Sequence, residues 1–184
     1  MKLVHASSVL RKPANNNTDM RRENLSLRYE ALIAKEKIMV KSYHRLVEDR
    51  IYFGGANDVE QMVNDEGIEV VVDLREEAEH CASTSQAVKW IKIPLGDHAE
   101  EPEPELFHSA IQEVVKAYRE GKRVAFHCGG GRGRTGAVAV GTLKELGLAK
   151  TLEEAEQQAK AIRPTIAVKP NQWASLKAIY DRHS

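Results

Sequence analysis

The sequence predicts an α/β fold: a central, mostly parallel sheet flanked by helices, with an all-helical C-terminal part. Three observations carry this. Ile68 to Leu74 is a continuous β-branched run of the kind buried on both faces of a parallel sheet. Strand-like and helix-like segments alternate through the middle of the chain. Beyond a glycine-rich loop that begins at Cys128, only helical patterns remain.

Taken in order, residues 1 to about 20 contain Pro13 and the run Asn15-Asn16-Asn17-Thr18, and read as a mobile tail. Arg21 to Val40 places Leu25, Tyr29, Leu32 and Ile33 at helical spacing. Residues 1–41 are therefore read as a basic extension and residues 42–184 as the functional domain. Arg45 to Phe53 has strand composition broken at Glu48-Asp49, which predicts a hairpin closed by Gly54-Gly55. Asn57 is the expected cap of a helix running to Gly67. After the β-branched strand, Val88 to Leu95 is a second strand with Pro94 marking its end. Pro104 to Glu120 carries Leu106, Phe107, Ile111, Val114, Val115 and Tyr118 on one stripe, an amphipathic helix stopped by Gly121. Arg123 to His127 is a short strand, and a helix follows from about Arg134 to Leu146. Thr151 with Glu154 forms a capping box for the next helix, which ends before Pro164, and Pro170 to Arg182 is the last.

Composition narrows the function. With 184 residues the chain suits one domain with an appendage. Its 27 basic and 27 acidic side chains cancel, so no global field attracts nucleic acid, and none is expected as a partner. The balance is uneven: residues 1–41 hold 9 Lys/Arg against 4 Asp/Glu, leaving 18 against 23 in the remainder. The first eighteen residues carry Lys2, Arg11 and Lys12 and no acid, which weakly resembles an organelle transit peptide, set against a plain upstream extension before a domain starting near Met39. No apolar run is long enough to span a membrane. Two cysteines, Cys81 and Cys128, cannot build a disulfide framework, which points to a cytoplasmic protein with reduced thiols.

The segment that carries chemistry is His127-Cys128-Gly129-Gly130-Gly131-Arg132-Gly133-Arg134-Thr135-Gly136, placed where a buried strand ends and a helix begins. Ligands bind at this edge of α/β sheets. A glycine-rich loop can turn successive backbone N–H groups inward as an anion cradle at a helix N-terminus. Cys128 at its base faces amide donors and a positive helix end, a setting that favours a thiolate nucleophile. The planar fork of Arg134 suits two phosphoryl oxygens.

Cysteine, five residues, arginine, threonine resembles the signature of the cysteine-dependent protein tyrosine phosphatase superfamily, in its compact dual-specificity branch. His127, Gly131, Gly133 and Gly136 match the pattern as well. The resemblance implies two-step hydrolysis of phosphotyrosine, and of phosphoserine and phosphothreonine, on a phosphorylated protein substrate through a phosphocysteine. Cys128 is then the nucleophile, and Arg134 clamps the phosphate and the transition state. Gly129, Gly130, Gly131, Arg132 and Gly133 bind the phosphate with Arg134, Thr135 stabilises the departing thiolate, and His127 orders the loop. The segment Ile93-Pro94-Leu95-Gly96-Asp97 resembles the acid-bearing loop of the family, 31 residues before the cysteine, so Asp97 is expected to be the general acid and then the general base. Glu100, Glu101, Glu103 and Glu105 are read instead as a solvated face and first helical turn. No metal and no other cofactor is needed.

Several residues carry two readings. Arg132 is a solvated side chain, or a second cation for a phosphoinositide or other non-protein phosphate. Arg75 touches substrate or pairs within the strand end Asp73-Leu74-Arg75. Cys81 is an inert thiol or a reversible disulfide partner of Cys128. Arg163-Pro164 and Pro170-Asn171-Gln172-Trp173 resemble the family's C-terminal segment, with Trp173 in the core. Rival functions are weaker. Gly131, Gly133 and Gly136 fit a dinucleotide-binding turn, which requires a following strand. His80-Cys81 with His127-Cys128 lacks metal-site spacing. A non-catalytic phosphate-binding module would need neither a nucleophile nor an acid.

Overall fold

The computed structural model describes Arg28 and residues 41–181. The chain separates into two units, Met1–Val40 and Lys41–Ser184; every element below belongs to the second. The tail and helix predicted before Lys41 lie outside the described residues, except that Arg28 is helical.

Five strands and five helices follow in the predicted alternation: β1 (His44–Val47), β2 (Ile51–Gly55), α1 (Val59–Glu66), β3 (Val70–Arg75), β4 (Lys89–Leu95), α2 (Pro104–Arg119), β5 (Val124–Cys128), α3 (Gly133–Glu145), α4 (Leu152–Ile162) and α5 (Pro170–Tyr180). The strands form one sheet in the order β1-β2-β5-β3-β4. β1 pairs antiparallel with β2 across the Glu48-Asp49 turn, and every other pairing is parallel. β4 is an edge strand whose register against β3 shifts between Asp73 and Arg75. An edge position tolerates Pro94, so the strand runs one residue past it to Leu95.

One expectation at a helix start is corrected. Asn57 does not cap α1: it lies inside a 3-10 turn, Ala56–Asp58, and Asp58 occupies the cap position. The Asp58 carboxylate turns back and accepts the Gly55 amide at 2.7 Å, a bond that Asn57 is one residue too early to make. The box predicted at α4 forms in part. Thr151 Oγ1 accepts from Glu154 N at 3.1 Å, whereas the Glu154 carboxylate accepts from Lys150 N, not from the cap residue.

The period of two along the strands separates two apolar layers. Ile51, Phe53, Val70, Val72, Leu74, Val124, Phe126 and Cys128 face α2, α3, α4 and α5 and form the main core. Tyr52, Val71 and Ala125 face α1 with Val59 and Met62 in a smaller cluster. Phe53 and Phe126 stack across β2 and β5 with centroids 5.7 Å apart, and burying side chains of this size contributes roughly 2 kcal/mol each. Trp173 is half-buried at the margin of the main core. Cys81 packs against the smaller cluster, whereas Cys128 belongs to the main one, and both are free thiols.

Candidate active site

The site grows from the carboxyl end of β5. Parallel register brings Gly55 level with Cys128 and sets Gly54 and Asp73 on either side of His127. Alternation sends the Cys128 side chain toward the four-helix layer and His127 to the opposite face. There, fully buried, His127 lies with Nε2 3.6 Å from Asp73 Oδ2 and Nδ1 3.2 Å from Cys128 O. Burial holds the His127 pKa below its ordinary value against the pull of Asp73. Asp73 itself accepts from Arg75 N, Nε and Nη2 and from Trp90 Nε1, and the Arg75 bonds outweigh its burial and lower its pKa. Arg75 is therefore spent on the strand end, as the ion-pair reading expects.

The loop after Cys128 is braced from behind by main chain. Gly131 adopts φ +65°, and a Cβ there would lie 2.5 Å from Gly54 C and 2.7 Å from Gly55 N. Only glycine fits against those two residues in that conformation. Ala56 N donates to Gly129 O at 2.9 Å. The buried Arg163 donates from Nε to Gly131 O at 2.8 Å, and from Nη1 to Ser42 O and toward His44 Nδ1. These bonds occupy the Gly129 and Gly131 carbonyls on the side of β2 and Arg163.

α3 starts at Gly133 and returns Arg134 over the loop. Its buried guanidinium donates from Nη1 to Leu95 O at 2.9 Å and to Leu74 O at 3.4 Å, and pairs through both Nη atoms with the Glu77 carboxylate at 3.0 and 3.1 Å. Burial opposes its charge, but Glu77, Cys128 and Asp97 together raise its pKa. Arg134 Nε lies 3.4 Å from Asp97 Oδ1 without hydrogen-bond alignment, leaving a buried N–H with no partner among the described residues. An unspent buried donor is costly, and an oxyanion is the acceptor that suits it.

Asp97, Cys128, Gly130, Arg132 and Gly133 line one pocket of about 290 Å³ with Ala167 and Lys169. Gly129 is exposed and Gly131 buried, and neither lines this pocket. Arg132 is exposed and makes no ion pair among the described residues. Thr135 is buried, and its hydroxyl donates to Gly54 O at 3.4 Å. Asp97 is half-exposed, with Lys169 Nζ 3.6 Å from Oδ1 and His98 Nε2 3.5 Å from Oδ2. Glu103 departs from the solvated-face expectation: its carboxylate accepts the Gly96 amide at 3.2 Å, its own amide donates to Ser175 Oγ at 2.9 Å, and burial raises its pKa. Glu100, Glu101 and Glu105 are exposed.

Three residues escape sequence reasoning. Glu77 sits in an acidic run, Glu76-Glu77-Ala78-Glu79, with nothing to mark it from its neighbours. Arg163 and Lys169 each stand immediately before or within a recognised proline segment, a signal that marks the segments without assigning those side chains. Together the arrangement offers a sulfur and a carboxylate on one small glycine-lined pocket, with a buried guanidinium against that carboxylate, which is chemistry for an oxyanion.

Residues 51–182 match the family model for the dual specificity phosphatase catalytic domain. Over 99 residues the chain is 34% identical to 067L of Invertebrate iridescent virus 3, which is named as a tyrosine phosphatase; the match covers 50% of this chain and 41% of that protein. The chain thus spans less than half the length of this curated relative. A mouse dual specificity phosphatase complexed with zinc tungstate superposes with a TM-score of 0.68 at 20% identity, over 77% of this chain and 88% of that one. PTPMT1 in complex with PI(5)P gives 0.64 at 23% identity, over 77% and 96%. At these identities the likeness is one of fold.

Proposed function

The chain belongs to the dual specificity phosphatase family, and on that premise we propose that it hydrolyses phosphate monoesters of protein side chains through a phosphocysteine intermediate. One observation carries the reading. The buried Arg134, its Nε–H without a partner among the described residues, lies 3.4 Å from the carboxylate of Asp97, and Asp97 shares one pocket with Cys128.

In the first step the Cys128 thiolate attacks phosphorus, an S–P bond forms and the ester P–O bond breaks. Asp97 passes its proton to the departing oxygen. Arg134 and the amides of Gly129 to Gly133 hold the three equatorial oxygens, where charge gathers in the transition state. In the second step the Asp97 carboxylate takes a proton from water as that water attacks phosphorus, the S–P bond breaks, and thiolate and phosphate are released. Thr135 assists the departure of sulfur once its hydroxyl turns from Gly54 O toward the thiolate. His127 and Arg163 hold the loop from its two sides. The family match supports phosphotyrosine together with phosphoserine and phosphothreonine as the proposed substrates, and a cytoplasmic setting belongs to the same proposal.

A second reading has its own support. Arg132 makes no ion pair among the described residues and lines the same pocket as Lys169, whose ammonium lies 3.6 Å from Asp97, so Arg132 is the cation placed for a further phosphate on an inositol ring.

The test is hydrolysis of p-nitrophenyl phosphate, phosphopeptides and phosphoinositides in excess chelator, for the native chain beside Cys128→Ser and Asp97→Asn. Turnover of phosphopeptides that survives chelation and vanishes in Cys128→Ser is the expected result. Asp97→Asn should slow it by roughly 10²-fold and remove the basic limb of the pH profile. Turnover of phosphoinositides alone selects the second reading. Phosphate binding without turnover of any substrate refutes both.

A further inference from the structure

The segment that carries Asp97 joins β4 to α2, and the start of α5 holds it at three points. Lys169 Nζ donates to Asp97 O. Asn171 Nδ2 donates to Ala99 O at 2.6 Å. Ser175 Oγ accepts the Glu103 amide at 2.9 Å and donates to Asn171 O at 2.8 Å, and the Glu103 carboxylate closes the segment by accepting the Gly96 amide at 3.2 Å.

The holding groups are themselves fixed. Pro170 sets the backbone angle of the first helical residue. Gln172, almost fully buried, accepts the Lys169 amide at 3.0 Å. Both Lys169 and Asn171 bond main-chain carbonyls on either side of His98, so they fix the path of the loop whatever side chains it bears. Lys169 Nζ is also 3.6 Å from Asp97 Oδ1.

Resting on the phosphatase reading above, we propose that Lys169 and Asn171 are positioning residues: they hold the loop so that the Asp97 carboxyl stays on the pocket it shares with Cys128. Releasing either tether leaves Cys128, Arg134 and the cradle unchanged but lets the carboxyl wander. A displacement of about 1 Å of a reacting group costs up to roughly 10²-fold in rate. The cost falls on the one event that uses the proton, departure of the ester oxygen, and so grows with the basicity of that oxygen.

The experiment uses the full chain and a series of aryl phosphates running from weakly basic phenolates to phosphotyrosine. kcat and KM are measured for the native protein, Lys169→Met, Asn171→Ala and Lys169→Arg. Lys169→Met and Asn171→Ala should lower kcat on phosphotyrosine about tenfold or more, and on the least basic leaving group less than about twofold. KM should be unchanged, and Lys169→Arg should restore most of the loss because it still reaches a carbonyl. Lys169 is half-exposed at the surface, so its variants are expected to melt close to the native protein. A loss of equal size across the series, a loss confined to KM, or no loss at all overturns the proposal; the KM result would make Lys169 a substrate contact. A native protein that turns over none of the series overturns the phosphatase reading, and the tether role with it, so the two failures are told apart by the native chain alone.

Discussion

Replacing Gly131 by alanine tests how the phosphate loop is seated on the sheet, and Gly130 beside it is the matched control. At Gly130 a Cβ meets nothing within 4 Å. At Gly131 the φ is +65° and the Cβ would stand 2.5 Å from Gly54 C, 2.6 Å from Gly54 O and 2.7 Å from Gly55 N. The left-handed conformation costs a residue with a side chain about 1–2 kcal/mol. All three clashing atoms are main chain of β2, so no rotamer relieves them, and moving such a backbone costs roughly 1–3 kcal/mol more. The sum for Gly131→Ala is about 2–5 kcal/mol, or a fall in Tm of roughly 6–15 °C for a domain of this size. Gly130→Ala should stay within about 0.5 kcal/mol of native. Guanidinium unfolding of the two variants in parallel measures the difference, and vanadate titration reports the cradle, which should weaken in Gly131→Ala. Equal unfolding midpoints would refute the claim that the loop is seated on Gly54 and Gly55.

Glu77→Gln removes the carboxylate from the Arg134 fork; kcat/KM should fall about tenfold through misplacement of the guanidinium. Stability should fall by only about 1 kcal/mol, because the Glu77 side chain is 51% exposed and solvent screens the pair; steady-state kinetics with a melting curve checks both. The pH dependence of stability follows from His127 and His44, whose pKa values burial holds below the ordinary 6.5. The unfolded chain then binds these protons more readily than the folded one, so their contribution is full above about pH 6.5 and is lost as pH falls through the lowered folded values. In His127→Asn, denaturant midpoints between pH 8 and 5 should be lower overall but should decline less steeply, and an unchanged decline would contradict the assignment.

The α/β alternation is legible in the sequence because its apolar periods are local: Ile68 to Leu74 announces a buried strand, and the stripe from Leu106 to Tyr118 announces a helix. The cradle is legible for the same reason, since Cys128, its glycines, Arg134 and Thr135 lie within one short stretch. Asn57 misleads because a 3-10 turn shifts the helix start by one residue, and neighbouring polar side chains compete for the same amides. Glu77, Arg163 and Lys169 are illegible for a different reason. Each acts on an atom 32 to 72 residues away, and only the fold decides which carbonyl or guanidinium an ordinary charged side chain will find. Glu103 shows the same limit, one glutamate among several until the chain turns it onto the Gly96 amide.

Because β2 and β5 finish level, with Gly54 and Gly55 beside His127 and Cys128, the wall behind the nucleophile is main chain. Such a wall offers almost nothing to vary, since any side chain added at Gly55 or Gly131 strikes backbone. Selectivity among phosphorylated partners must therefore be written at the rim, in the exposed Arg132 and His98. Redesign of preference and redesign of chemistry are separable tasks in this scaffold, and libraries aimed at new substrates belong at those rim positions with the wall left intact.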